Sequence, residues 1–149
     1  MQIPLLDQED PQFPNPRNAL AEPDGLLAAG GNLHPTTLLT AYRQGIFPWF
    51  DDEDPILWWS PATRCVLEPG KFHCSKSLAK ALRRNNYSVT TNRAFAEVIS
   101  ACSDPRDIEG GTWITDEMIS AYSDLHRQGV AQSVEVWDGD KLIGGLYGL

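Results

Sequence analysis

The sequence predicts an α+β fold on three observations. Apolar residues recur at helical spacing in four stretches, short β-rich runs lie between them, and two such runs near the end flank Asp138-Gly139-Asp140. That last pattern is the signal of a β-hairpin. A chain of 149 residues would bury roughly 70% of its unfolded surface if compact, enough for a real core. Hydrophobic residues make up 42% of it and charged residues 21%, the balance of a globular protein and not of a disordered segment.

Residues 1–34 are rich in Pro, Gly and Asn, with Phe13-Pro14-Asn15-Pro16 and Gly30-Gly31-Asn32, and read as loop with at most short strands. Pro35 suits a first helical position, Leu38, Leu39 and Tyr42 follow at helical spacing, and Gly45 stops a helix over 35–44. Next come Ile46-Phe47-Pro48-Trp49-Phe50, an acidic turn from Asp51 to Asp54, and Ile56-Leu57-Trp58-Trp59-Ser60-Pro61. The prolines and the turn forbid a continuous helix there. Residues 64–68 read as a short strand entering a second unit.

A helix over 75–86 places Lys76, Lys80, Arg83 and Arg84 within about 100° of arc, with Leu78 and Leu82 on the other side. A strand over 87–91 follows, then Asn92 as N-cap of a helix whose Phe95, Val98, Ile99 and Cys102 form a core stripe. After a turn-rich stretch from Asp104 to Gly111, Thr115 caps a further helix, with Asp116 and Glu117 at its dipole-favoured start. Met118, Ile119, Tyr122, Leu125 and His126 form its buried face, Gly129 ends it, and Ala131–Trp137 with Lys141–Gly148 make the hairpin. No internal repeat or low-complexity segment is present.

The net charge of −8 argues against coating nucleic acid by bulk electrostatics, though a local basic patch could bind phosphate. The start of the chain lacks a signal-peptide pattern, and no apolar run reaches the ~18 residues of a membrane span, so a cytoplasmic protein without a membrane partner is expected. Cys65, Cys74 and Cys102 fall in no CxxC pair and read as reduced thiols. His34, His73 and His126 are too scattered to suggest a metal site.

There is no Walker A loop, HExxH, GxSxG or GxGxxG, and the chain is silent on a nucleophile. Aromatic density stands out. Trp49, Trp58, Trp59 and Trp113 lie beside Pro or Gly turns, where indoles facing a cleft could stack on bases at roughly 1–3 kcal/mol each. The plainer reading is that they fill the core, as the plainer reading of the basic face is a solvated helix surface. Taken together the two features suggest single-stranded nucleic acid. His73, His126 and Gly30-Gly31 read as structural.

Six blocks are more specific. Gly25 to Leu33, Ala41 to Phe50, Leu57 to Pro61, Gly111 to Thr115, Ser133 to Trp137 and Gly144 to Gly148 resemble, in order, the motifs of leucyl/phenylalanyl-tRNA–protein transferases. The resemblance covers nearly the whole chain. It implies a small N-terminal α+β domain over 1–62 and an incomplete acetyltransferase-like mixed domain over 63–149. It also implies that Trp49, Trp113 and Tyr122 hold the terminal adenosine of aminoacyl-tRNA, that Leu146 lines the pocket for the transferred side chain, and that Lys76, Lys80, Arg83 and Arg84 meet the acceptor stem.

The implied reaction moves Leu, Phe or Met from tRNA to a protein bearing N-terminal Arg or Lys, marking it for degradation. No metal or coenzyme is called for, because the ester is already activated and the α-amine is a nucleophile, so proximity and oriented polar groups supply most of the acceleration. A dry apolar pocket separates close homologues by only about 1–3 kcal/mol. The family continues past Gly148 into a Gly-Glu-Ser-Met-Phe-Ser block and a later Asp and Gln assigned to proton handling. This chain is therefore expected to lack the catalytic groups and not to turn over alone.

Monomers are implied for the family, while a sheet edge bared by the shorter chain would favour dimers. A competing class is a non-catalytic tRNA-binding fragment. An acetyl-CoA enzyme is disfavoured because no Arg/Gln-x-x-Gly-x-Gly/Ala string occurs.

Overall fold

The computed structural model describes residues 3–104 and 112–149. These form an α+β structure of four α-helices and two sheets in two compact units. Unit 1 comprises Met1–Arg64 with Ser103–Asp124, and unit 2 comprises Cys65–Cys102 with Leu125–Leu149. Most of the turn-rich stretch ending at Gly111 lies outside the described residues.

In unit 1, strand β1 (Leu5–Leu6) runs parallel to β2 (Leu26–Gly30). Strand β4 (Leu57–Trp59) pairs antiparallel with both β2 and β3 (Phe47–Pro48), giving the order β1-β2-β4-β3. Helix α1 (Pro35–Arg43) opens on Pro35, as its spacing predicts, and Gly45 beyond it adopts φ +75°. That left-handed conformation is cheap only for glycine and turns the chain into β3. Trp58 is fully buried, its indole N–H donating to the Gly30 carbonyl at 2.8 Å and its ring meeting Phe13 edge-on at 4.8 Å.

Helix α4 (Asp116–Arg127) is capped by Thr115, whose hydroxyl accepts from the Met118 N–H at 3.2 Å, and Gly129 ends it at φ +74°. It belongs to unit 1 up to Asp124 and to unit 2 from Leu125. Met118 and Tyr122 are buried in the first part and Leu125 in the second.

Unit 2 has helix α2 (Lys76–Arg84), strand β5 (Tyr87–Thr91), helix α3 (Phe95–Ser103) and the hairpin β6 (Gln132–Asp138) and β7 (Lys141–Gly148), with sheet order β5-β6-β7. Residues 64–68 form no strand. Val66 and Leu67 are exposed, so β-propensity there finds no neighbouring strand to pair with. Alternation along β6 sends Ser133, Glu135 and Trp137 to the buried face and leaves Val134 and Val136 on the other.

Helix α3 packs on the buried face so closely that a Cβ at Gly145 would lie 2.8 Å from Val98 Cγ2. Phe95 stacks on His126 at 4.1 Å, and the His126 Nδ1–H donates to the Ala131 carbonyl at 2.9 Å, a structural role for that histidine.

Asn92 does not cap α3 as its spacing suggests. It sits at φ 58°, and its side chain accepts from the Ser133 N–H at 2.9 Å. The group facing the start of α3 is the carboxylate of Glu135. It is wholly buried and accepts from the Ala94 N–H at 3.3 Å and the Ser133 hydroxyl at 2.6 Å, and also from the Thr90 hydroxyl. Burial alone would raise its pKa, but these donors and the Arg93 backbone outweigh it and hold the carboxyl below its ordinary range.

Two outcomes are expected for unit 2. Gly145→Ala should destabilise it by about 1–3 kcal/mol, the usual cost of overpacking, as measured by urea unfolding. A carboxylate with a lowered folded pKa adds stability that is fully present above its unfolded value, near 4.5, and is lost as pH falls through the lower folded value. Acid unfolding of the wild type should therefore steepen below about pH 4.5, and Glu135→Gln should flatten that dependence; an identical profile in the variant would contradict this role.

Candidate functional site

The register of two short strands sorts the aromatic rings of unit 1. Pro48 faces Trp58 and Phe47 faces Trp59, so alternation puts Pro48 and Trp58 on the buried face and Phe47, Trp49 and Trp59 on the other. Trp49 is 49% exposed, while Phe47 and Trp59 are half-buried. The Trp59 indole N–H donates to the Trp49 carbonyl at 2.6 Å, and the two rings lie 5.5 Å apart at 49°. Trp49 is therefore presented by a neighbour that fixes its backbone and backs its ring.

Arg64 completes this face. Its Nη1–H donates to the Gly45 carbonyl at 2.9 Å and its guanidinium lies 4.8 Å above the Phe47 ring, a cation–π seat. The Tyr42 and Tyr122 hydroxyls share a hydrogen bond, with the rings edge-to-face at 6.4 Å. Burial raises the Tyr42 pKa, while the bond to Tyr122 and the charge of Arg64 oppose the rise.

The other residues singled out in the sequence divide by exposure. Trp113 belongs to unit 1 and is 39% exposed, so its indole, like that of Trp49, is open to solvent. Gly111 of the same motif lies outside the described residues. Tyr122 is only 3% exposed; its ring belongs to the core and its hydroxyl meets Tyr42. Of the four indoles beside turns, Trp58 faces no cleft, because its N–H has a backbone acceptor inside the unit.

In unit 2, Lys76, Lys80, Arg83 and Arg84 are all exposed on α2, whose Ser75 cap accepts from the Leu78 N–H at 3.2 Å. Helix α2 buries no residue, and Leu78 and Leu82 are themselves exposed. Leu146 is 62% exposed, opposite Val134 on the sheet face that α3 does not cover.

Charge is unevenly divided. Unit 1 carries fifteen Asp and Glu against four Lys and Arg, a net −11, and unit 2 five against eight, a net +3. Sequence reasoning does not single out Phe47, Tyr42 or Arg64 as parts of a site. The first is legible in the alternation of the 47–49 run, whereas nothing local to Arg64 points back to Gly45.

Among the described residues no group of three or more His, Cys, Asp or Glu converges as metal ligands, and no helix is long and apolar enough to cross a membrane.

The family model described as leucyl/phenylalanyl-tRNA protein transferase matches residues 66–149, and the one described as its N-terminal domain matches residues 31–62. Proteins named leucyl/phenylalanyl-tRNA--protein transferase are similar over 147 residues, 99% of this chain: 56% identical in Shewanella sediminis (strain HAW-EB3), 54% in Cellvibrio japonicus (strain Ueda107) and 52% in Psychromonas ingrahamii. The chain spans 62–63% of the length of these curated relatives.

If Tyr122 supplies the hydrogen bond that restrains the Tyr42 pKa, Tyr122→Phe should move the Tyr42 titration to higher pH. Alkaline titration of phenolate absorbance, with Tyr42→Phe to assign the transition, reads this directly; a shift to lower pH would refute the pairing.

Proposed function

The chain belongs to the leucyl/phenylalanyl-tRNA protein transferase family, and from that premise we propose that it takes part in moving Leu, Phe or Met from aminoacyl-tRNA to an N-terminal Arg or Lys of an acceptor protein. The observation that carries this reading is that the indoles of Trp49 and Trp113 are both open to solvent. An indole buried for packing alone would not be presented this way, whereas one that stacks on a base must be.

On this reading Trp49, Trp113 and Tyr122 form the site for the terminal adenosine, with Tyr122 held by its hydroxyl's bond to Tyr42. Leu146 contributes to the apolar pocket for the transferred side chain. The exposed cations Lys76, Lys80, Arg83 and Arg84 meet acceptor-stem phosphates, which cluster best on such a helix face. The excess of carboxylate in unit 1 favours a cationic acceptor terminus. A division into a small domain over 1–62 and an acetyltransferase-like one over 63–149, a cytoplasmic location and a monomeric family state belong to the same proposal.

Chemically, the acceptor α-amine attacks the aminoacyl carbonyl. A C–N bond forms, the ester C–O bond breaks, and the proton lost by the amine is transferred to the departing ribose oxygen. The ester supplies the driving force, so the protein's part is placement and stabilisation of the tetrahedral oxyanion.

A second reading is a tRNA-binding fragment that does not turn over. One experiment separates the two: leucyl transfer from charged tRNA to an Arg-initiated peptide, measured beside tRNA binding at several salt concentrations. We expect salt-sensitive binding, with the slope of log K against log salt reduced by about 1 for each of the four cations replaced by Ala. Transfer at the rate of a full-length relative would establish the enzyme and exclude the fragment, whereas no binding would exclude both.

A further inference from the structure

We propose that Arg64 is a phosphate-binding residue, placed to take the 5′-phosphate of a nucleotide whose base stacks on Trp49. This role deepens the proposed transfer function and rests on it. Four observations carry the assignment, all within unit 1.

The guanidinium is fixed on two sides, by the Gly45 carbonyl at 2.9 Å and the Phe47 ring at 4.8 Å. Because an Arg so held loses little freedom on binding, and its planar fork has donors to spare, it is suited to a phosphate oxygen pair. Phe47 faces Trp59 across the strand pair, and Trp59 backs Trp49. Arg64 and the open indole thus border one continuous aromatic face.

Among the described residues nothing neutralises the charge of Arg64. Its partners are a carbonyl and a ring, and among the described residues no carboxylate pairs with it. Finally, a fixed cation is out of character with its unit, where carboxylates outnumber Lys and Arg by fifteen to four. A cation serving only stability in such a field would be expected to pair with one of those carboxylates, yet this one is seated on neutral groups and left facing solvent.

The test compares adenosine 5′-monophosphate with adenosine, using the 149-residue chain and ligand-observed NMR titration. The nucleotide should bind about five- to tenfold more tightly, the size of one exposed charge-assisted contact, and raising the salt should erode that advantage. Arg64→Gln should abolish it while adenosine affinity changes little, and Arg64→Lys should retain part of it. Circular dichroism of both variants checks that the fold is intact.

Equal binding of the two ligands to the wild type, with both lost in Trp49→Ala, would overturn the role of Arg64 and leave base stacking standing. So would a nucleotide preference that survives Arg64→Gln. If Trp49→Ala has no effect on either ligand, or neither binds, the stacking reading falls and the proposal with it.

Discussion

Pairing of Pro48 with Trp58, and of Phe47 with Trp59, decides which aromatic rings of unit 1 reach solvent. A slip of β4 by one residue would turn Trp59 inward and expose Trp58, since side chains alternate strictly across a strand. The register is held by what Trp58 gains: a fully buried ring, an edge contact to Phe13 and an N–H satisfied by the Gly30 carbonyl. Burying an indole without that acceptor would carry the cost of an unmet donor. The core-facing ring thereby sets the orientation of the solvent-facing ones, and the candidate site is a by-product of how the sheet satisfies its interior.

Unit 2 solves a similar problem with a carboxylate. Glu135 gathers donors from β5, from its own strand and from the backbone before α3, so one buried side chain fixes sheet and helix together. The Trp137 indole N–H extends the network by donating to the Thr90 hydroxyl at 2.9 Å. The opposite sheet face is left open, with Val89 and Leu146 both well exposed. Apolar side chains there do not serve the described core and stand as exposed apolar surface.

Much of the fold was legible where local chemistry decides the outcome. Pro35, Gly45, Thr115 and Gly129 mark helix ends by rules that act within a few residues, and the turn at Gly139 announces the hairpin. Failures came where a distant partner decides. Asn92 has the chemistry of a cap, but its amide is claimed by β6, about forty residues on, and the capping task passes to Glu135. Residues 64–68 have strand-like composition and no strand to join. Within the candidate site, Trp49 and Trp113 could be nominated from their words alone. Whether an indole faces in or out depends on register, which is why Trp58 and Trp59, adjacent and identical, have opposite fates.

Helix α2 buries nothing, and its stability has to come from elsewhere. Nine residues are too few for a helix to be stable in water from propensity alone, and Lys76, Lys80 and Arg84 stand four apart, where like charges repel along the axis. Polyanions that gather on this face would relieve the repulsion, so helix content and anion occupancy are thermodynamically linked quantities. The element then behaves less as a rigid rail than as a spring tensioned by its own charge.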